Sequence, residues 1–213
     1  MDVVEAARAL SAAVKMITFA KPIACVYNPL DYAWERHEEY LRRYAKPGVE
    51  AIFLGMNPGP FGMAQTGVPF GDVALVRDWL GICGPVGKPE CQHPKRPIAG
   101  FACARCEVSG QRVWGWARQR YGSPNHFFEK FFVANYCPLA FMEESGLNRT
   151  PDKLPRHERD ALFEACDEHL RRVIQFLNPQ WVIGVGDFAA KRAAQSVEGK
   201  QMAVSIGRIL HPS

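Results

Sequence analysis

At 213 residues the chain is long enough for one domain with a sizeable core and short for two. Apolar residues make up 47% and charged residues 23%, the balance of an ordinary globular protein, which excludes a disordered chain. No run approaches the roughly 18 apolar residues of a membrane-spanning helix. The formal charge of +4 is mild but uneven. Residues 88–130 hold eight Lys and Arg against three Glu. That excess suits a phosphate backbone, and it suits a solvated basic face equally well.

In chain order, the first segment sets Asp2, Glu5, Arg8 and Lys15 among Ala and Val. It reads as an amphipathic surface helix over residues 3–18 rather than a secretory signal, which would put its positive charge first. The expectation is an intracellular protein: cytoplasm or nucleoid in a bacterium, nucleus in a eukaryote. A second helix is expected over 31–45, with Asp31 as N-cap and Pro47-Gly48 ending it. The apolar run 50–56 has the look of a buried strand. After a Gly/Pro-rich loop, Asp72 starts a short helix reaching residue 80, and 81–111 is irregular.

Helices are expected over 112–121 and 124–130, the second capped by Ser123 with Pro124 in its first turn. Residues 131–137 form a second buried strand. Arg156–Leu177 is the longest helix, with Leu162, Ala165, Cys166, Leu170, Val173 and Phe176 on one face. A third strand over 181–186, a helix over 187–197 and a fourth strand over 201–206 complete the chain. Strands alternating with helices argue for a mostly parallel sheet covered on both faces. The fold expected is α/β, a three-layer α/β/α sandwich around four strands, as a single domain over 1–213.

The seven cysteines are an odd number without a secretion signal, so no disulfide framework is expected. Cys83, Cys91, Cys103 and Cys106 end in a Cys-x-x-Cys pair, which raises a zinc or iron–sulfur site. Their spacing is not two close pairs, and the reading assigns no metal and no cofactor. Cys25, Cys137 and Cys166 stand in apolar surroundings and read as small buried residues.

In open parallel sheets, ligands bind beyond the carboxyl ends of the strands. That rule selects three places. One is the loop from Asn57 to Gly71, whose glycines admit close backbone approach and whose prolines hold it rigid. It lacks the Gly-Lys-Ser/Thr of a Walker loop and the spacing of a dinucleotide fingerprint. The second is Asn135, at the end of an otherwise apolar strand. The third is His211, near the end of the sequence. Each alone has a plainer explanation: a rigid connection, an amide satisfied by nearby backbone, a solvated terminal residue.

Together they resemble a known family. Gly55-Met-Asn-Pro-Gly-Pro-Phe-Gly-Met-Ala-Gln-Thr-Gly-Val-Pro-Phe-Gly71 and His211-Pro-Ser213 look like the two signature motifs of single-strand-selective monofunctional uracil-DNA glycosylases. The likeness extends through Tyr27-Asn-Pro29, His93-Pro-Lys-Arg-Pro97, Glu107-Val-Ser-Gly110, Asn135-Tyr-Cys-Pro-Leu139 and Glu164-Ala-Cys-Asp-Glu168. The resemblance implies that Asn57 holds the hydrolytic water and that Phe70 stacks on the base. It also implies that Asn135 reads the polar edge of the base and that His211 hydrogen-bonds a uracil carbonyl. Backbone amides of Met56 and Gly59 would line the pocket, and Lys95, Arg96, Pro212 and Ser213 would contact DNA.

Those roles make chemical sense. Asn has no accessible basic pKa, so a site built on Asn57 needs a glycosidic bond that breaks before water attacks strongly. No lysine stands in either motif, which implies a monofunctional enzyme without Schiff-base chemistry. The partner expected is uracil-containing DNA, single- or double-stranded, with no membrane and a monomeric protein. In the family, a Pro/Asn-rich wedge follows the His-Pro-Ser motif. A chain ending at Ser213 is expected to act better on single strands, where extruding a base costs little. The readings set against this one are a non-catalytic reader of damaged DNA and a glycosylase for other deaminated or oxidised bases.

Overall fold

The computed structural model describes residues 2–212. Helix α1 (Val3–Lys15) opens with a capping box: Asp2 accepts from the Glu5 amide at 2.8 Å, and Glu5 accepts from the Asp2 amide at 3.1 Å. Strand β1 (Ile23–Tyr27), which the sequence reading left out, comes next. The helix expected over 31–45 is two helices, α2 (Pro29–Tyr32) and α3 (Trp34–Tyr44). Asn28 caps the first through its side chain, at 3.1 Å from the Leu30 amide, with Pro29 in the first turn. Asp31 is therefore a first-turn residue, because Asn-Pro is itself a complete start signal lying further upstream.

Then follow β2 (Ala51–Gly55), α4 (Met63–Thr66), α5 (Val73–Asp78), a 3₁₀ turn at Gly100–Ala102, and α6 (Val108–Tyr121). Helix α7 (Pro124–Phe128) leads into β3 (Phe131–Asn135), β4 (Ala140–Glu143) and β5 (Asn148–Arg149). The long α8 (Arg156–Leu177), β6 (Trp181–Val185), α9 (Asp187–Val197) and β7 (Ser205–Ile209) finish the chain. The last strand was expected over 201–206. Its pairing with β6, from Trp181↔Ser205 to Val185↔Ile209, carries it further on.

The central sheet has the order β3-β2-β6-β7, with every pair parallel. Successive residues point to opposite faces. Phe53 meets Trp116 of α6 on one side at 6.0 Å, while Phe132 meets Tyr40 of α3 on the other at 5.4 Å. Helices thus lie on both faces, as the alternating pattern requires. Coverage on the α6 side is incomplete, since Trp181 and Ile209 remain 45% and 44% exposed.

A second sheet, antiparallel in the order β1-β4-β5, was not legible. Its strands are too short for periodicity to register, and their pairing joins residues far apart in sequence.

The cysteines need a correction. Cys25 and Cys91 form a disulfide across 66 positions, with Cα atoms 5.6 Å apart. Cysteine parity says nothing about which two thiols a fold brings together, and here the loop after α5 folds back onto β1. Cys83, Cys103 and Cys106 are free thiols, and among the described residues no group of three or more ligands could hold a metal. Cys137 and Cys166 are buried. Among the described residues, no helix is long and apolar enough to cross a membrane.

Candidate active site

The chain leaves β2 at Gly55, β3 at Asn135, β6 at Val185 and β7 at Ile209, all at one edge of the parallel sheet. A cavity of about 490 Å³ opens there. Its walls include Met56, Asn57 and Gly59 from the loop after β2, Phe70 at that loop's far end, Asn135 from β3, and His211 just past β7. The six residues that the sequence assigned to catalysis and base recognition therefore share one pocket.

Local hydrogen bonding fixes this loop. The Asn57 amide nitrogen donates to the Leu139 carbonyl at 3.1 Å, which leaves its Oδ1 as the acceptor in the cavity wall. Asn148 donates to the Pro58 carbonyl at 2.9 Å. Gln65, 1% exposed, donates to the Pro60 and Pro97 carbonyls and accepts from the Ala99 and Gly100 amides. Buried His37 contacts the Gly67 carbonyl at 2.8 Å through Nδ1, and burial pushes its pKa down to about 4. The imidazole is therefore neutral and donates. Trp114 donates to the Pro69 carbonyl at 3.2 Å.

Two absent side chains shape the cavity floor. A Cβ on Gly55 would lie 2.4 Å from Asn135 Oδ1 and 2.6 Å from the Phe70 ring, so only glycine lets these groups close over the strand end. Phe70 itself has φ +54°, in the left-handed region. Such backbone costs on the order of 1–3 kcal/mol and persists where surroundings over-determine it. Here the Phe70 carbonyl accepts from Asp72 N at 2.9 Å and packs against Gly110, where a Cβ would come within 2.0 Å.

The far wall is Gly186 and Asp187, with His211 packed against Gly186. Desolvation lowers the His211 pKa from its usual 6.5, which favours a neutral ring. Lys95 and Arg96 do not line the cavity: Lys95 Nζ donates to the Ser145 carbonyl, and the Arg96 guanidinium lies 5.4 Å from the Phe61 ring. Pro212 borders an adjoining apolar groove with Phe53, Val113, Trp116 and Leu210, and Phe70 and Val185 line both the groove and the cavity. Ser213 lies outside the described residues.

The sequence reading gave no role to Met63, Glu107, Ser109, Thr150, Asp187 or Phe188, which also line the pocket. The one available signal was the Glu107-Val-Ser-Gly110 stretch, which carried part of the resemblance. Burial raises the Glu107 pKa, a hydrogen bond from the Phe61 amide opposes that rise, and nearby Asp72 adds to it.

A parallel α/β sheet with a strand-end pocket of Asn, Phe, Asn and His defines a class, and sequence comparison agrees with it. The profile of the Uracil DNA glycosylase superfamily matches residues 42–213, and the chain belongs to that superfamily. Within it, the chain is 50% identical over 204 residues to the single-strand selective monofunctional uracil DNA glycosylase of Mus musculus, covering 96% of this chain and 73% of that one. The protein of the same name from Bos taurus is 48% identical over 200 residues, covering 94% and 74%. The crystal structure of wild-type Pedobacter heparinus SMUG2 superposes with a TM-score of 0.66 at 18% identity, over 97% of this chain and 87% of that one, a likeness of fold.

Proposed function

We propose that the protein is a monofunctional uracil-DNA glycosylase, hydrolysing the bond between uracil and deoxyribose and leaving an abasic site. The observation that carries this reading is the convergence of Asn57, Phe70, Asn135 and His211 on one cavity. Half the residues are also shared with the mammalian uracil glycosylases. A flipped base enters the cavity and stacks on Phe70. Asn135 presents its amide nitrogen to O4 and its carbonyl to N3–H. Cytosine offers the reverse pattern and leaves those groups unpaired, so it is rejected.

As the glycosidic bond breaks, negative charge gathers on uracil O2, and His211 donates to it. The neutral ring favoured by desolvation serves as this donor. The Oδ1 of Asn57, freed by the bond its nitrogen makes to Leu139, holds water for attack on the oxocarbenium-like sugar. Among the described residues no lysine lines the cavity, which favours plain hydrolysis over an amine-linked intermediate. Lys95 and Arg96 supply backbone charge outside the pocket, and we take the protein to act as a single-domain monomer.

The test is a single-stranded oligonucleotide with one uracil, incubated with the protein and then with hot alkali or with borohydride. Strand scission only after alkali, with no trapped adduct, is the result expected. An adduct would refute monofunctionality, and tight binding without any scission would favour a damage reader.

A further inference from the structure

Glu107 sits where a side chain can set the shape of the Asn57 loop from outside it. Its carboxylate lies against the loop's tightest stretch: a Cβ built on Gly59 would come 2.4 Å from Glu107 Oε2, and one on Gly62 would come 2.8 Å from its Cγ. Between those two glycines stands Phe61, whose backbone is the hydrogen-bonding neighbour that opposes the burial-driven rise of the Glu107 pKa. The backbone of Glu107 is fixed in turn. Its amide donates to Asp72 Oδ2 at 3.3 Å, and its carbonyl accepts from Gln111 N inside α6 at 2.8 Å. The other oxygen of Asp72 accepts from Leu75 N, and the Asp72 amide donates to the Phe70 carbonyl. One short relay therefore links the start of α6 to both ends of the motif loop, and Glu107 is its member in the cavity wall.

From this geometry we infer that Glu107 is a positioning residue for uracil excision: its carboxylate holds the Gly59–Gly62 turn so that Asn57 and the Gly59 amide stay in register with Phe70. The inference rests on the uracil-glycosylase reading. It gives glycine at 59 a reason, since a side chain there would displace the carboxylate, and adds to the unusual backbone of Gly62, at φ −106° and ψ −113°, a second reason for glycine at that position. Glutamine at 107 keeps an acceptor for the Phe61 amide, whereas alanine removes it.

The experiment is single-turnover excision from a uracil-containing single strand by wild type, Glu107→Ala, Glu107→Gln, Gly59→Ala and the Gly59→Ala/Glu107→Ala pair. Exchange of the Phe61 amide proton and melting temperature are measured on the same proteins. Misplacement on the scale of an ångström costs on the order of 100-fold, so Glu107→Ala should slow the maximal rate about that much. Half-saturating DNA should change no more than about threefold, because substrate binding uses other groups. Glu107→Gln should recover to within about tenfold of wild type. The double variant should be no slower than the slower single, because both changes break one contact.

Phe61 exchange should accelerate in Glu107→Ala, with the melting temperature near that of wild type. A wild-type rate in Glu107→Ala would overturn the inference. So would an equal loss in the Gln variant, or losses that multiply in the pair. If wild type releases no uracil, the glycosylase reading fails, and unchanged Phe61 exchange would then sink the positioning role independently.

Discussion

The two pieces of chain that build the pocket are held in opposite ways. The Asn57–Gly71 loop is braced at nearly every turn, by Leu139, Asn148, His37 and Trp114, and from within by Gln65. The C-terminal arm carrying His211 leaves β7 after the Gly186 amide bonds the Ile209 carbonyl and Arg208 pairs with Asp187. Beyond that point Leu210 is 85% exposed, and among the described residues no hydrogen bond reaches the His211 ring. One half of the site is therefore set by the fold. The other half is set at one end only. Damage to the arm should cost rate without stability, and damage to the buried braces beneath the loop, His37 and Gln65, should cost stability as well.

The sharpest use of that contrast is His211→Ala. Removing one donor at a developing anion costs about 10²–10³ in rate, and with so little packing around the arm the melting temperature should not move. A matched fall in melting temperature would break the comparison. Gly55→Ala attacks the braced half. Its Cβ drives into Asn135 and Phe70, so excision should drop about 100-fold and uracil binding should weaken with it. Binding measured on a non-cleaved analogue would show whether the pocket had closed.

Acid titration probes the support under the loop. His37 is held neutral with a pKa near 4, against 6.5 in the unfolded chain. The unfolded state takes up its proton first as pH falls, so stability is complete above pH 6.5 and declines toward pH 4, by about 3 kcal/mol. Denaturant melts of wild type and His37→Gln across that range should converge at low pH. Parallel curves would remove His37 from the account. A smaller effect is expected from Gln65→Leu, which leaves buried backbone groups unpaired and should cost about 1–3 kcal/mol, with activity recovered at low temperature.

The same contrast explains what could be read from the sequence. The parallel sheet was legible because β2, β3 and β6 are apolar runs between turn signals, and α8 because its apolar stripe is long. The braced loop was legible because tight packing demands glycine and proline at fixed spacing, and such spacing is specific. His211 carries no such pattern and was placed only by the likeness of its motif to a family. Glu107 and Asp187 escaped because their roles depend on which backbone they face, and an exposed-looking Glu in an irregular stretch has no period. The β1-β4-β5 sheet and the Cys25–Cys91 bond escaped for a related reason. Both join residues far apart in sequence, with no local composition to announce the pairing.

The central claim is that loop and arm form one hydrolytic site for uracil. Single-turnover excision from a uracil-containing single strand by Asn57→Ala, His211→Ala and their pair tests it most directly. The account predicts that each single change slows the bond-breaking step by at least about 100-fold while DNA affinity stays within about threefold. The pair should lose less than the product of the two, because both act in one transition state. Wild-type excision by either single variant would contradict it.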